Sequence, residues 1–347
     1  AETLRQKIAL TLNRDPGKVT INRTETGAIT FNGIGMLGRR LNLENATELT
    51  IQAIEEEVYD IHLPVEELQP DIEVLDESLR EQGIQEVIAV GESDFTGSPL
   101  NRQHNIAVGL EKFNGHIIPK GSVFSFNDVL GPVNAETGFK RELVIMGDKT
   151  LPEFGGGLCQ ISTTAFRGAW EYGFPIEERR NHSFAVSYYS PQGTDATIFP
   201  PHTDMQFRND SPGDLLMQTY TEDMRAYYIY YGTRDDRETE IIGPYVWGRV
   251  GAPPEKTEYT TDLPPGATKK VGSAVPGLKA AWYRVVTMPD GQQPSEEEYY
   301  SFYEARPLFY QVGIEEGQDP NAMGEPKVPD WITTPDTETT TQENTVL

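Results

Sequence analysis

Small and apolar residues recur at helical spacing directly behind the only cysteine of the chain, Cys159. They stand at i, i+4, i+7 and i+11, which marks one face of an α-helix, and they are Ile161, Ala165, Gly168 and Tyr172. Gly173 follows where a C-terminal cap belongs, and a proline two residues later stops the helix. The pattern predicts a loop of three glycines leading into a helix, with Cys159 at or near its N-terminus.

The pattern changes to alternation after residue 181, and alternation is typical of strands. His182 shares its parity with the apolar positions of the run 184–189, so both are expected on one face of a strand. A turn over 190–193 leads to a second run rich in β-formers, 194–199, with Asp195 near its start. The sequence therefore predicts a helix-borne Cys, a strand-borne His and an Asp on the next strand.

The pattern of hydrophobic and polar positions over the whole chain predicts an α+β, multi-domain protein. Residues 1–92 mix helical stripes with short strands, including a hairpin-like pair near residues 19–31 and a helix capped by Asn45. Residues 93–232 form the second unit, which opens with a helix over 100–113 and ends with a tyrosine-rich strand.

The remaining third of the chain has a different character. Residues 233–316 are rich in Gly and Pro, and a hairpin is indicated there by runs at 281–287 and 299–303. Residues 317–347 are acidic and rich in Pro and Thr, with almost no apolar content. This segment is predicted to be a tail that is either disordered or ordered only on a partner.

Charge and composition exclude several classes of function. The chain has 347 residues and a formal net charge of −25, a field that repels nucleic acid and anionic membrane surfaces. No apolar run approaches the roughly 18 residues that a membrane span needs. A single cysteine excludes an intramolecular disulfide and leaves one thiol for chemistry.

The thiol, the imidazole and the carboxylate together make a candidate nucleophilic site. Cys159 is the expected nucleophile, because backbone N–H groups at a helix N-terminus favour a thiolate. His182 is the expected base, and Asp195 the group that fixes its tautomer. The expected substrate-binding residues surround the cysteine, and they are Gly155, Gly156, Gly157 and Gln160. No cofactor is needed for such chemistry, and none is predicted.

Two other interpretations of the cysteine stay open. A lone cysteine is commonly a small buried hydrophobe, which would leave a non-catalytic protein. A metal site could also be built from Cys159, His182, His202 and Asp204, although their spacing lacks the clustering typical of metal ligands. No metal is therefore predicted.

These residues resemble the VanW family of bacterial cell-surface proteins over roughly residues 93–225. The resemblance is centred on the string 155–164, from the glycines through Cys159, and extends to the motifs that contain His182 and Asp195. Residues 1–92 resemble a peptidoglycan-binding module, and the segment 268–313 resembles a divergent G5 module.

The resemblance implies an extracytoplasmic, cell-wall setting with peptidoglycan or another wall polymer as the partner. A more distant likeness to the papain/transglutaminase-like superfold, with its helix-start Cys followed by a strand His and Asp, implies acyl transfer through a thioester. The two functional hypotheses are therefore a cysteine-dependent peptidase, amidase or transpeptidase, and a non-catalytic wall-binding or scaffolding protein with a structural cysteine.

Overall fold

A four-stranded antiparallel sheet lies at the centre of the computed structural model, which describes residues 12–57, 61, 63–146 and 149–318. Its strands, in spatial order, are β6 (Glu86–Asp94), β14 (Arg225–Gly232), β13 (Leu215–Glu222) and β7 (Ile117–Ile118). The arrangement as a whole is mixed α+β with strands dominating, which confirms the predicted class. Almost all of the predicted tail lies outside the described residues.

The tyrosine-rich strand β14 explains why this sheet is central. Its side chains are buried on both faces, as expected for a continuous apolar run with cores on either side. Tyr228 and Tyr230 belong to the larger core, whereas Tyr227, Ile229 and Tyr231 belong to a second core beneath the N-terminal strands. The predicted strand is confirmed, and it separates two hydrophobic layers.

The predicted helix behind the glycines is confirmed as α5 (Leu158–Tyr172), and it packs on the central sheet. The helix begins after Gly157, at φ +116°, and ends at Gly173, at φ +102°, two backbone conformations that favour glycine. Within the helix, Gly168 lies so close to Gly91 of β6 that an added Cβ would sit 2.7 Å from the Gly91 nitrogen. Backbone contact of this kind fixes the helix, and with it Cys159, against the sheet.

Between residues 18 and 81, the described part of the chain contains two small sheets and two helices. The predicted hairpin is confirmed, because β1 (Lys18–Arg23) pairs antiparallel with β2 (Ile29–Ile34). The remaining elements are β3 (Gly38–Leu41), α1 (Leu43–Glu55), β4 (Val65–Leu68), β5 (Asp71–Val74) and α2 (Glu77–Glu81). The predicted cap Asn45 is wrong by three residues, since the Asn42 side chain accepts the Asn45 N–H and α1 begins between them.

Short elements connect the central sheet to the glycine loop. The helix predicted over 100–113 is confirmed as α3 (Leu100–Glu111). The other elements of this region are β8 (Val123–Ser125), α4 (Phe126–Leu130), β9 (Arg141–Met146), β10 (Lys149–Phe154), β11 (Ile176–Glu178) and β12 (Gln206–Arg208). The hairpin β9–β10 was not predicted, and it leads directly into the three glycines.

The strands predicted over 181–189 and 194–199 are wrong. His182 and Asp195 lie on irregular backbone, and the first segment ends in a 3₁₀ turn, Ser187–Tyr189. In a sheet, the backbone N–H groups of these segments would bond to a neighbouring strand. Here they donate to side chains instead, His182 N–H to Asp195 and Ala196 N–H to Thr163. These long-range polar contacts outweigh the local preference for strand.

The described residues that follow β14 form two three-stranded sheets. One contains β15 (Glu238–Val250), β18 (Gly277–Thr287) and β19 (Ser295–Tyr303), so the predicted hairpin is confirmed by the β18–β19 pairing. The other contains β16 (Lys256–Thr260), β20 (Phe309–Gly313) and β17 (Thr268–Gly272). None of the helices in the described ranges is both long and apolar enough to cross a membrane.

Candidate active site

Cys159 is the second residue of α5 and faces a groove of about 810 Å³. The side chain is half-buried, so the thiol is held by the protein and still reachable from the groove. Its sulfur lies 3.4 Å from Thr197 Oγ1 and 3.7 Å from the carbonyl oxygen of Ile198. The predicted glycines Gly155–Gly157 form part of the groove wall beside it. The cysteine therefore lies at the N-terminus of a helix, next to open space.

His182 and Asp195 form a buried hydrogen-bonded pair at the same groove. The Nδ1 atom of His182 lies 2.6 Å from Asp195 Oδ2, and the same oxygen accepts the backbone N–H of His182 at 2.7 Å. His182 is only 4% exposed, and its ring stacks on Tyr189 with a centroid distance of 4.5 Å. With Nδ1 bonded to the carboxylate, Nε2 is the ring nitrogen available to the thiol. The structure thus brings the three predicted residues together, although two of them lie on loops.

The Asp195 carboxylate is held on its other side as well. Tyr303 Oη donates to Oδ1 at 2.5 Å, and Arg179 Nη2 lies 3.3 Å from the same oxygen. Burial acts against ionisation of this carboxyl, but the hydrogen bonds from His182 and the charge of Arg179 outweigh it and hold the pKa well below its usual range. Asp195 is therefore a fixed negative charge beside the imidazole.

The thiol and the imidazole shift each other's pKa. Burial acts to raise the pKa of Cys159, but hydrogen bonding and charge attraction from His182 outweigh it and lower that pKa to about 7. Burial acts to lower the pKa of His182, but the hydrogen bonds to Asp195 and Cys159 raise it to about 9. Between these values the thiolate–imidazolium pair is the favoured state.

The helix N-terminus supplies a hydrogen-bond donor next to the sulfur. The Leu158 N–H donates to Gly155 O and the Gln160 N–H donates to Gly157 O, each at 3.0 Å. Within the described part of the chain, the Cys159 N–H has no such partner, as is usual in the first turn of a helix. This amide and the Thr197 hydroxyl, which lies 3.4 Å from the sulfur, are the two polar groups next to the thiol that are able to donate a hydrogen bond.

Gln160 was expected to contact substrate, but it does not line the groove. Its side chain is fully buried on the sheet side of α5, where its Oε1 accepts from Arg102 at 2.8 Å and its Nε2 donates to Ser93 at 2.8 Å. Arg102 in turn lies 4.7 Å above the ring of Tyr188, and both of these side chains form part of the groove wall. The contacts of Gln160 are therefore with the groove wall and the central sheet.

The alternative of a metal site finds no support in this geometry. No group of three or more His, Cys, Asp and Glu side chains within the described ranges could hold a metal ion. The Asp204 carboxylate accepts hydrogen bonds from Ser125 Oγ at 2.5 Å and from the Asn127 N–H at 2.9 Å, so it stabilises the start of α4.

Several residues of the site were not predicted from the sequence. Arg179 and Thr197 lie two to three residues from His182 and Asp195, so proximity to those residues was an available signal. Tyr303 comes from a strand more than a hundred positions away, with a sequence separation of 108 from Asp195. No local pattern could have identified that contact.

Comparisons with known proteins find similarity to one family in the region that contains the site. Residues 101–230 match the family model described as VanW like protein. The "Uncharacterized protein YoaR" of Bacillus subtilis (strain 168) is 32% identical over 124 residues, which is 36% of this chain and 41% of that protein. The "Vancomycin B-type resistance protein VanW" of Enterococcus faecalis (strain ATCC 700802 / V583) is 28% identical over 116 residues, which is 32% of this chain and 42% of that protein.

The matches therefore span less than half the length of either relative. Cys159, His182 and Asp195 all lie inside the matched range, whereas Tyr303 lies outside it. Residues 101–230 of the chain, which include all three candidate site residues, are therefore similar to the VanW family.

Proposed function

We propose that this protein is a cysteine-dependent acyl-transfer enzyme that acts on peptide or amide bonds of peptidoglycan. The observation that carries the proposal is the Cys159–His182–Asp195 constellation, in which the half-buried residue Cys159 lines a groove. A structural cysteine would be expected to lie sealed among aliphatic side chains. Cys159 packs against the larger core, but its sulfur also contacts a hydroxyl and a carbonyl oxygen, and an imidazole lowers its pKa.

The first half-reaction forms a thioester. The Cys159 thiolate attacks the carbonyl carbon of the scissile amide, and the carbonyl electron pair moves to oxygen, where the Cys159 N–H and Thr197 hydroxyl donate hydrogen bonds. The C–N bond then breaks, and the leaving amine takes its proton from Nε2 of the His182 imidazolium. The products are an acyl-thioester on Cys159, a neutral imidazole and a free amine.

The second half-reaction releases the acyl group. Neutral His182 takes a proton from water or from an acceptor amine as it attacks the thioester carbonyl, and the C–S bond breaks to restore the thiolate–imidazolium pair. Water gives hydrolysis, and an amine gives transpeptidation. Asp195 keeps Nδ1 protonated throughout, because its Oδ2 accepts that N–H at 2.6 Å.

The choice of peptidoglycan as substrate rests on the family. One relative carries a vancomycin-resistance name, and vancomycin resistance concerns the cell wall. An extracytoplasmic site of action follows from that substrate. The arrangement of a helix-start cysteine ahead of a His and an Asp also supports the papain/transglutaminase-like interpretation of the core, although the His and Asp lie on loops here.

Covalent capture on Cys159 tests the proposal. Muramidase-digested sacculi are incubated with the protein, and the intact mass is measured after an acid quench, with Cys159→Ala as the matched control. We expect a mass increase equal to one acyl-muropeptide on the wild type, none on the variant, and free amine or crosslinked product in the supernatant. Retention on intact sacculi that is equal for both proteins, with no adduct and no product, would instead support the non-catalytic wall-binding function.

A further inference from the structure

The end of the C-terminal strand β19 contacts both loops of the candidate active site. Four consecutive residues each make one or more hydrogen bonds to the segment 179–195, and they are Ser301, Phe302, Tyr303 and Glu304. Ser301 Oγ accepts from Arg179 at 2.9 Å, and the Phe302 carbonyl accepts from Asn181 Nδ2 at 2.8 Å. The Glu304 N–H donates to the Ser183 carbonyl at 2.7 Å. The loop that carries His182 is therefore attached to this strand on both sides of the histidine.

Tyr303 makes the contact closest to the chemistry. It is 2% exposed, and its hydroxyl accepts the Gly193 N–H at 2.8 Å while donating to Asp195 Oδ1 at 2.5 Å. Burial raises the pKa of this phenol, so it stays a donor over the whole working range of pH.

The two oxygens of Asp195 have different partners. Oδ2 accepts from the ring and the backbone of His182, and Oδ1 accepts from Tyr303 and Arg179. A carboxylate bonded on both oxygens cannot rotate without breaking several charge-assisted hydrogen bonds. Arg179 in turn donates a hydrogen bond to Ser301. Strand β19 therefore holds Oδ1 directly through Tyr303 and indirectly through Ser301 and Arg179.

We propose that Tyr303 is a positioning residue of the active site, and that the β15–β18–β19 sheet completes this site. The inference rests on the function proposed above. It adds to the site a residue from outside the range that matches the family model, because Tyr303 lies outside residues 101–230. Tyr303 holds Asp195 in the orientation that keeps His182 aligned with the Cys159 sulfur.

The surroundings of Asp195 favour this assignment. The titratable and charged groups that act on or near its carboxylate are His182, Arg179, Arg167, Tyr189 and Tyr303. Of these, Tyr303 comes from the C-terminal sheet and the others come from the matched domain. Removal of its hydroxyl leaves the ring in place and removes the shorter of the two hydrogen bonds to Oδ1, so that this oxygen is held only by Arg179 at 3.3 Å.

The test measures the pH dependence of Cys159 alkylation by iodoacetamide in Tyr303→Phe. Cys159 is the only cysteine, so each added carbamidomethyl group in the intact mass reports on it. We expect the midpoint of the profile to move to higher pH, with a loss of about tenfold in alkylation rate at pH 7. A misaligned carboxylate would lower the pKa of His182, and with less imidazolium beside it the pKa of Cys159 would rise. Tyr300→Phe is the matched control, since Tyr300 lies on the same strand and is 48% exposed.

An unchanged or lowered midpoint in Tyr303→Phe, at wild-type rate, would overturn the inference. Ser301→Ala provides a milder second variant, expected to shift the midpoint in the same direction and to slow alkylation at pH 7 by about threefold. A wild-type protein that itself alkylates like an ordinary free thiol would refute the proposed function. An activated wild type with unaffected Tyr303→Phe and Ser301→Ala would refute the positioning role alone.

Discussion

At the scale of single residues, the site depends on one fixed negative charge. Asp195 stays ionised despite burial because His182 and Arg179 hold its pKa well below the usual range. That charge raises the pKa of His182, and the resulting imidazolium lowers the pKa of Cys159. The Asp195 carboxylate thus lowers the pKa of the sulfur indirectly, through the imidazole of His182.

Asp195→Asn tests whether the charge of Asp195 determines the pKa values of His182 and Cys159. The amide keeps a similar shape but removes the negative charge, so burial is opposed by Cys159 alone and the pKa of His182 should fall, which favours the neutral imidazole. Without the cation beside it, Cys159 becomes mostly thiol, and we expect alkylation at pH 7 to slow by about tenfold or more. Asp128→Asn on the exposed side of α4 is the control, and equal rates in the two variants would contradict the account.

At the scale of elements, helix α5 determines where the sulfur lies. The helix and its caps were predictable, since the spacing of Ile161 and Ala165 and the stop at Gly173 are local signals. The loops of His182 and Asp195 were predicted as strands because their composition favours strands, and that prediction was wrong. Their conformation depends on bonds to Thr163 and Tyr303, which are distant in sequence.

Gly168→Ala tests the close packing of α5 on the sheet. In an ordinary helix this change stabilises by about 1 kcal/mol. Here the new Cβ would lie 2.7 Å from the Gly91 nitrogen and 2.9 Å from the Tyr230 ring, so we expect the free energy of unfolding to fall by about 1–3 kcal/mol. Urea denaturation measures the difference. Gly251→Ala, which meets open space, should change it by less than about 0.5 kcal/mol, and stabilisation by Gly168→Ala would contradict the packing.

At the scale of the whole molecule, the C-terminal sheet and the helix that carries the cysteine share a buried junction. Arg284 of β18 is fully buried, and it donates to the carbonyl oxygens of Trp170 at 2.9 Å and Phe174 at 3.0 Å, beside the end of α5. Composition indicated a β-rich C-terminal region and predicted its hairpin. The contacts of that hairpin with α5 and Asp195 pair residues more than a hundred positions apart, a separation at which sequence pattern carries no information.

Arg284→Ala is expected to destabilise the protein by about 3 kcal/mol, because it removes the buried hydrogen bonds that Arg284 donates to two carbonyl groups and its ion pair with the Glu297 carboxylate. Arg249→Ala, an exposed arginine on β15, provides the comparison and should change stability by less than about 0.5 kcal/mol. Thermal or chemical denaturation gives both values. Similar small losses for the two variants would mean that the junction contributes little to the fold.

The central claim is that His182 activates Cys159, and the pH profile of Cys159 alkylation tests it most directly. The rate constant for iodoacetamide is measured from pH 5 to pH 10 on the wild type and on His182→Gln, with His202→Gln as a control at an exposed histidine. We predict a midpoint at about 7 for the wild type and for His202→Gln, and a midpoint above 9.0, the ordinary value for a thiol, for His182→Gln. A wild-type midpoint at or above 9.0 that is unaffected by His182→Gln would contradict the account.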